Sequence, residues 1–407
     1  MKSTRLQKYG WQLGIILLIL LYYYFQWRDI NSFVQAVDHC DILFCDFKKV
    51  FYVMGKNILT KQVPVKGFYY SPFAAILFRT LGIQSKNTAV FIWGMIQVTG
   101  VILLFAVWFR SKQKANFSFK LFYLFLLLTS FPVLHNFNWG QVSIFITLAV
   151  FLTMEAYLSK RIFWAAFWLA FATSIKFYPI IFLLYFIFER DIKFLIAFAV
   201  FGFLLGVAIP VAFIGVNSTV HFYITILQNS EARFMNVADR LEVINSQYVT
   251  LVILRLTEGI TSGVWMRLVE IVGKLLLGLN ILLTFLVVIL APAHRTRWGF
   301  LLLFVSIPFF VPSSWPHYFV YLPAFQAFTA YMIKRDKGRY WKYALLFISI
   351  FLSNVVLFNI IGNRHLYAGK GFLFWSNLLL IILAYVELIP KLKLPESVRK
   401  YYPLETR

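Results

Sequence analysis

The sequence predicts an all-α polytopic membrane protein with about 10 to 13 transmembrane helices and two larger outer loops that carry short amphipathic helices. Three observations predict it. The 407-residue chain is 61% hydrophobic and only 14% charged. Apolar runs of about 20 residues, the length that crosses the hydrocarbon layer, recur along it. The Lys and Arg fall mostly in short segments between those runs, as the positive-inside bias requires. No internal repeat or low-complexity linker divides the chain, so residues 1–407 read as one membrane domain.

At the N-terminus, Lys2, Arg5 and Lys8 precede the apolar run 11–27, and "LYYYFQW" at its end offers no small-residue cleavage site. This reads as an uncleaved anchor starting in the cytoplasm. Residues 28–70 form the first polar stretch, an outer loop with Asp29, Asp38, Asp41 and Asp46. A shorter apolar run at 72–83 leads to longer ones at 88–109, 119–134, 141–158, 162–189 and 192–215. The second polar stretch, 216–250, is the other outer loop. Runs at 265–291, 297–312, 317–333, 341–361 and 371–389 follow, then a basic tail, 390–407, on the cytoplasmic side.

Segment 162–189 carries basic residues at both ends and Lys176 and Pro179 in its centre. A re-entrant pair fits: about 14 residues run in, the chain breaks at Lys-Phe-Tyr-Pro, and about 10 run back. Lys176 would then stand at the wall of a polar cavity within the membrane.

The net charge of +23 invites a nucleic-acid reading, but cations confined to short loops are explained by sidedness and anionic lipid. Nucleic-acid binding is set aside. Cys40 and Cys45 share the first outer loop; a disulfide is open to them, and a zinc site with His39 and Asp46 matches no common spacing. No metal ligands are assigned.

An ionisable group inside a span costs on the order of 3 kcal/mol and usually faces a cavity. Lys176 lies deepest, with snorkelling as its bland alternative. Gln141 opens a span beside Asn136, Asn138 and Gly140, where helix capping would also place it. Arg255 stands alone on an apolar stretch and suits either phosphate binding or an interface. In "FVPSSWPHYFVYLP", Pro312, Pro316 and Pro323 remove backbone donors that lipid cannot replace. That stretch therefore faces protein or water, with His317 at the mouth of a span and Trp315 beside it, although an aromatic belt would also hold both. Asp46 precedes Phe47, Val50, Phe51 and Met54 at helical spacing, which predicts an amphipathic helix on the membrane surface. Asp46 is then either an acid within reach of a lipid-borne substrate or an ordinary helix N-cap. One acid and several cations around a cavity suit glycosyl transfer from a lipid-phosphate sugar, whose leaving phosphate needs cationic stabilisation.

These residues resemble glycosyltransferase family 87, the polyprenyl-phosphate-mannose-dependent mannosyltransferase type within the GT-C superfamily. "DFKKVFY" and "FYYSPFAAILF" are similar to the family's Asp-Phe and Tyr-Pro-Pro segments, with Ser71 replacing the first proline and Tyr70 before it. "WGQVSIF" is similar to its Gly-Gln-Val-Asn motif, "SIKFYP" to its Lys-x-x-Pro segment, and "NSQYVTLVILRL" to its Asn-Gln-Ser segment with a later Arg. "SSWPHYFVYLP" resembles its Ser-Trp-x-His-His segment, with Tyr318 at the second histidine. The resemblance implies a GT-C fold and an inverting transfer without a dissociable cofactor. It makes Asp46 the base, with Lys176, His317, Arg255, Gln141, Asn245, Gln247, Trp315 and Tyr70 attending the donor phosphate and substrate.

The expected function is therefore transfer of a hexose, mannose first, from polyprenyl phosphate to a lipid-linked or envelope glycan on the outer face of the cytoplasmic membrane. A transporter or flippase for an anionic or lipid-linked substrate is the alternative, and a structural membrane protein a third.

Overall fold

The computed structural model describes residues 43–110, 117–235, 244–257, 263–290, 293–336 and 339–392. The run 11–27, Cys40 with any pairing it makes, and most of the basic tail lie outside them.

In chain order the helices are α1 Tyr52–Lys61, α2 Pro72–Gly82, α3 Lys86–Arg110, α4 Phe117–Leu128, α5 Phe131–Trp139, α6 Ser143–Leu158, α7 Ile162–Ile175, α8 Leu183–Phe188, α9 Ile192–Phe203 and α10 Ile209–Ile214. They continue as α11 Val216–Met235, α12 Val249–Leu256, α13 Gly263–Leu290, α14 Arg295–Val305, α15 Ile307–Phe310, α16 Leu322–Arg335, α17 Tyr340–Leu352, α18 Val355–Ile361, α19 Arg364–Gly369 and α20 Phe372–Leu388. The described chain is helical, and its one β-bridge joins Ser130 to Asn354. This is an all-α polytopic membrane protein.

Among the described residues, four stretches are long and apolar enough to cross a membrane: Lys86–Phe109, Ile192–Ile214, Val264–Leu290 and Phe372–Lys391. Of the other expected runs among the described residues, 72–83 and 141–158 stay whole as the shorter helices α2 and α6, and the rest divide into shorter pieces. Run 297–312 becomes α14 and α15; residues 296–305 are all buried, so this run is protein core and meets no lipid. Runs 119–134 and 341–361 are each broken, and the two breaks meet. Phe131 N–H donates to Ser353 O (2.9 Å), Val355 N–H donates to Thr129 O (2.9 Å), and the Asn354 amide donates to the Thr129 hydroxyl (2.7 Å). Backbone groups freed where one helix stops have no water to turn to inside a membrane, so each break satisfies the other.

The stretch after Asp46 differs from expectation. It begins as a π-helical turn, Phe47–Phe51, and continues as α1. Its apolar stripe is buried in the protein: Phe47, Phe51, Met54 and Ile58 are fully enclosed. Phe47 stacks on Trp93 (centroids 5.1 Å) and Phe51 on Phe78 (4.7 Å). Two glycines let α1 and α2 touch, since a Cβ on Gly55 would fall 2.2 Å from Phe78 O and one on Gly82 2.4 Å from Lys56 N. Close backbone packing and aromatic stacking thus fill the face that spacing alone offers equally to lipid.

The re-entrant expectation describes what is seen. α7 runs 14 residues, about 21 Å and short of the hydrocarbon thickness. Lys176 then takes an extended conformation (φ −144°, ψ 132°). A 3-10 turn, Tyr178–Phe182, and α8 lead back. At the return, Phe186 meets Tyr157 (ring centroids 5.0 Å), so the segment ends beside its own entrance with Lys176 at the tip.

Candidate active site

The hairpin tip is anchored by Ser71. Its hydroxyl caps α2 by accepting from Ala74 N–H (3.2 Å) and donates to Ser174 O, while its own N–H donates to Ile175 O (3.4 Å). These bonds satisfy carbonyls at the end of α7 that Lys176, leaving the helix, abandons. A proline here would accept the φ of −64° but supply neither donor. The departure from the Tyr-Pro-Pro pattern thus has a structural use.

Next to the hairpin tip, α5 ends at Gly140 (φ +65°). Gly140 N–H donates to Phe137 O and Gln141 N–H to Asn136 O, both at 2.9 Å, a Schellman cap that needs a left-handed residue. A Cβ there would also fall 2.8 Å from Phe47 Cβ. Glycine therefore brings Gln141 against the turn that carries Asp46. Behind it, Gln97 donates to Gln141 O (2.7 Å) and Asn136 to the Gln97 side chain (2.8 Å). Asn136, Gln97 and Gln141 are all buried, which fixes the backbone at the start of α6.

From these supports four polar side chains line up. Lys176 Nζ donates to the Tyr70 hydroxyl (3.3 Å), Tyr70 Oη donates to Gln141 Oε1 (2.6 Å), and Gln141 Nε2 donates to Asp46 Oδ2. The Lys176 ammonium also sits over the Tyr318 ring at 3.9 Å and near the Tyr70 ring at 4.8 Å, so two aromatic faces hold the cation. Asp46 makes no N-cap bond. Its carboxylate faces a cavity of about 510 Å³ lined also by Tyr70, Gln141, Lys176, Tyr178, Trp315 and His317, a volume that suits a small substrate.

His317 lies in the 3-10 turn Pro316–Phe319 and is 2% exposed. It stacks on His135 (centroids 5.5 Å, 24° between planes), and its Nδ1 has no hydrogen-bond partner among the described residues. His135 escaped the sequence reading, although a histidine directly at the end of the apolar run 119–134 is the kind of residue that should raise the question. Tyr178, also missed, lines the cavity with a buried hydroxyl that lacks a partner among the described residues.

Five of the sequence-expected residues besides Asp46 come together here: Lys176, Gln141, Tyr70, Trp315 and His317. Three do not line the cavity. Arg255 donates from Nε to Gly369 O (3.1 Å) and from Nη2 to Ser246 O (2.5 Å). Gln247 donates to Ala368 O (3.1 Å) and accepts from Phe374 N–H (3.2 Å). Asn245 sits beside them, where Gln247 N–H pairs with Ser314 O (2.8 Å) and the Ser246 hydroxyl with Pro312 O (2.7 Å). This segment braces the proline-rich stretch from behind. Among the described residues no three His, Cys, Asp or Glu side chains gather as a metal would need.

The sequence profile of glycosyltransferase family 87 matches residues 68–314, about three fifths of the chain. The chain belongs to glycosyltransferase family 87. The matched stretch holds Tyr70, Gln141, Lys176, Asn245, Gln247 and Arg255, while Asp46 lies before it and Trp315 and His317 just after. No curated protein and no solved structure matches the chain. Membership makes this family 87 protein a membrane glycosyltransferase, and the transporter and structural readings fall with it.

Proposed function

We propose that this family 87 enzyme transfers a hexose, mannose first, from a polyprenyl-phosphate donor to a hydroxyl of a lipid-linked or envelope glycan. The reaction takes place on the outer face of the cytoplasmic membrane. The reading rests on one arrangement: an acid and a cation at opposite ends of the Lys176–Tyr70–Gln141–Asp46 chain, along one wall of one cavity.

Asp46 acts as general base. It takes the acceptor hydroxyl's proton as that oxygen attacks the sugar's anomeric carbon, and the bond from that carbon to the donor phosphate breaks. The leaving group is polyprenyl phosphate, a monoester with a second pKa near 6, so it departs as an anion. In this reading Lys176 and His317, which line the same cavity, stabilise its charge. A single displacement with one carboxylate inverts the anomeric centre. Gln141 donates to Asp46 and so holds its oxygens as acceptors, the state a base requires.

The test is sugar transfer by purified protein in nanodiscs, supplied with radiolabelled polyprenyl-phosphate mannose and a membrane-lipid extract, wild type beside Asp46→Asn. Label entering a new product with wild type only supports donor and base together. Full activity in Asp46→Asn would remove Asp46 from the role. A wild-type protein that neither binds nor consumes the lipid sugar would overturn the donor assignment.

A further inference from the structure

A second cavity, of about 670 Å³, opens at the other end of α6. Gln141 precedes α6 and Lys160 follows it; 16 helical residues separate the two cavities by about 24 Å. The lining includes Tyr157, Lys160, Asp191, His294, Arg295 and Arg297. Three carboxylates there are already engaged. Glu155 pairs with Arg297 (3.4 Å), Glu189 with Arg295 (3.2 Å), and Asp191 caps α9 by accepting from Phe194 N–H (3.0 Å). Across the two turns and the start of α14, Lys160, Arg161, Arg190, Lys193, Arg295 and Arg297 outnumber those acids two to one.

The backbone there is unusual. Non-glycine residues with positive φ number five among the described residues, and three are basic residues of this face: Lys160 (φ 58°), Arg190 (55°) and His294 (62°). Lys160 and Arg190 occupy matching Schellman caps. Lys160 N–H donates to Tyr157 O and Arg161 N–H to Ala156 O, at 2.9 and 2.8 Å; Arg190 N–H donates to Ile187 O and Asp191 N–H to Phe186 O, both at 3.1 Å. Glycine is the ordinary occupant of that position, as at Gly140, and here a basic residue stands in its place twice, at a modest cost in backbone strain. The apolar flank is open as well: Leu158 is 44% exposed, and Ile192 and Ile196 are each 61% exposed. Acyl chains can lie along this flank while a headgroup sits between the helix ends.

We infer that this cavity holds the phosphate headgroup of an anionic membrane lipid. Basic pockets between transmembrane helices take such headgroups, and an apolar flank beside an excess of cations favours a lipid-borne phosphate over a free one. The site is independent of the transfer chemistry at Asp46 and can be tested without a sugar donor.

The probe is dioleoyl phosphatidic acid at low mole fraction in phosphatidylcholine nanodiscs, with lipid retained by the full chain counted by native mass spectrometry. Lys160→Gln with Arg295→Gln should cut retention about fivefold for each cation removed. Lys334→Gln with Arg339→Gln makes the same charge change at exposed positions outside the cavity and should leave retention unchanged. Lys160→Gly separates binding from folding: it relieves the left-handed strain and should raise the melting temperature while lowering retention. Equal losses in both double variants would reduce the site to a generally basic face and overturn the proposal. So would displacement of the lipid by excess inorganic phosphate, which would make free phosphate the ligand, or a wild type that retains no phosphatidic acid.

Discussion

Gln141 and Asp46, 95 residues apart in sequence, are joined by a hydrogen bond from the Gln141 side-chain amide to the Asp46 carboxylate. The other end of that amide accepts the Tyr70 hydroxyl at 2.6 Å, and this fixes which way the amide points. Asp46 is therefore aimed by a group that Tyr70 and Lys176 orient in turn.

Replacing that amide with a hydrocarbon of similar size, Gln141→Leu, should lower kcat by on the order of 100-fold, as expected when a reacting group loses its position. The donor KM should move little. A KM that rises in step with the fall in kcat/KM would instead make Gln141 a ground-state binding residue.

Lys176→Ala should weaken donor binding as well as turnover. A charge-assisted hydrogen bond contributes about 1.5 to 3 kcal/mol, so the affinity for polyprenyl-phosphate mannose should fall by about 10- to 150-fold. Unchanged affinity by direct binding would remove Lys176 from the phosphate.

Ser71→Ala removes the α2 cap and the bond to Ser174 O but keeps the N–H to Ile175 O. Stability should drop by about 1 to 2 kcal/mol, read as a lower melting temperature in detergent. A variant as stable as wild type would show that the hairpin tip is held elsewhere.

His294 offers a pH test away from the spans. Burial first, then the Arg297 and Arg335 cations, hold its imidazole below the ordinary histidine value, and the ring pairs with Arg335 Nη1 at 2.8 Å. A lowered folded pKa means that the unfolded chain binds more protons. The contribution to stability is therefore present above about pH 6.5 and lost as pH falls from there through the folded value. His294→Asn, which suits the left-handed backbone, should flatten the decline in melting temperature on acidification. An identical pH profile in the two proteins would count against it.

Much of the architecture is legible along the chain because its causes are local. Apolar runs set by bilayer thickness located the helices, and a lysine beside Pro179 in the middle of one marked the re-entrant tip. Asp46 drew attention because Phe47, Val50, Phe51 and Met54 follow it at helical spacing, and the family resemblance, not the spacing, made it the expected base. What the sequence left ambiguous was which face each residue turns to. The stripe Phe47, Phe51, Met54 and Ile58 has the spacing of a lipid-facing helix, yet Gly55 and Gly82 let α1 dock into the protein and bury it. Arg255 has the isolation of a ligand-binding cation, yet backbone carbonyls of residues 246 and 369 hold it.

By itself the sequence determined a membrane-embedded helical chain with an acid near one surface and a lysine at a break within it. Only the tertiary structure decided that Asp46, Gln141, Tyr70 and Lys176 form one connected chain, that His135 stacks on His317, and that the breaks at Thr129 and Asn354 pair across 225 residues. The physical reason is range. Hydrophobic periodicity is written within a dozen neighbouring residues, whereas polar groups inside a membrane are satisfied by whatever partner packing brings to them, at any distance along the chain.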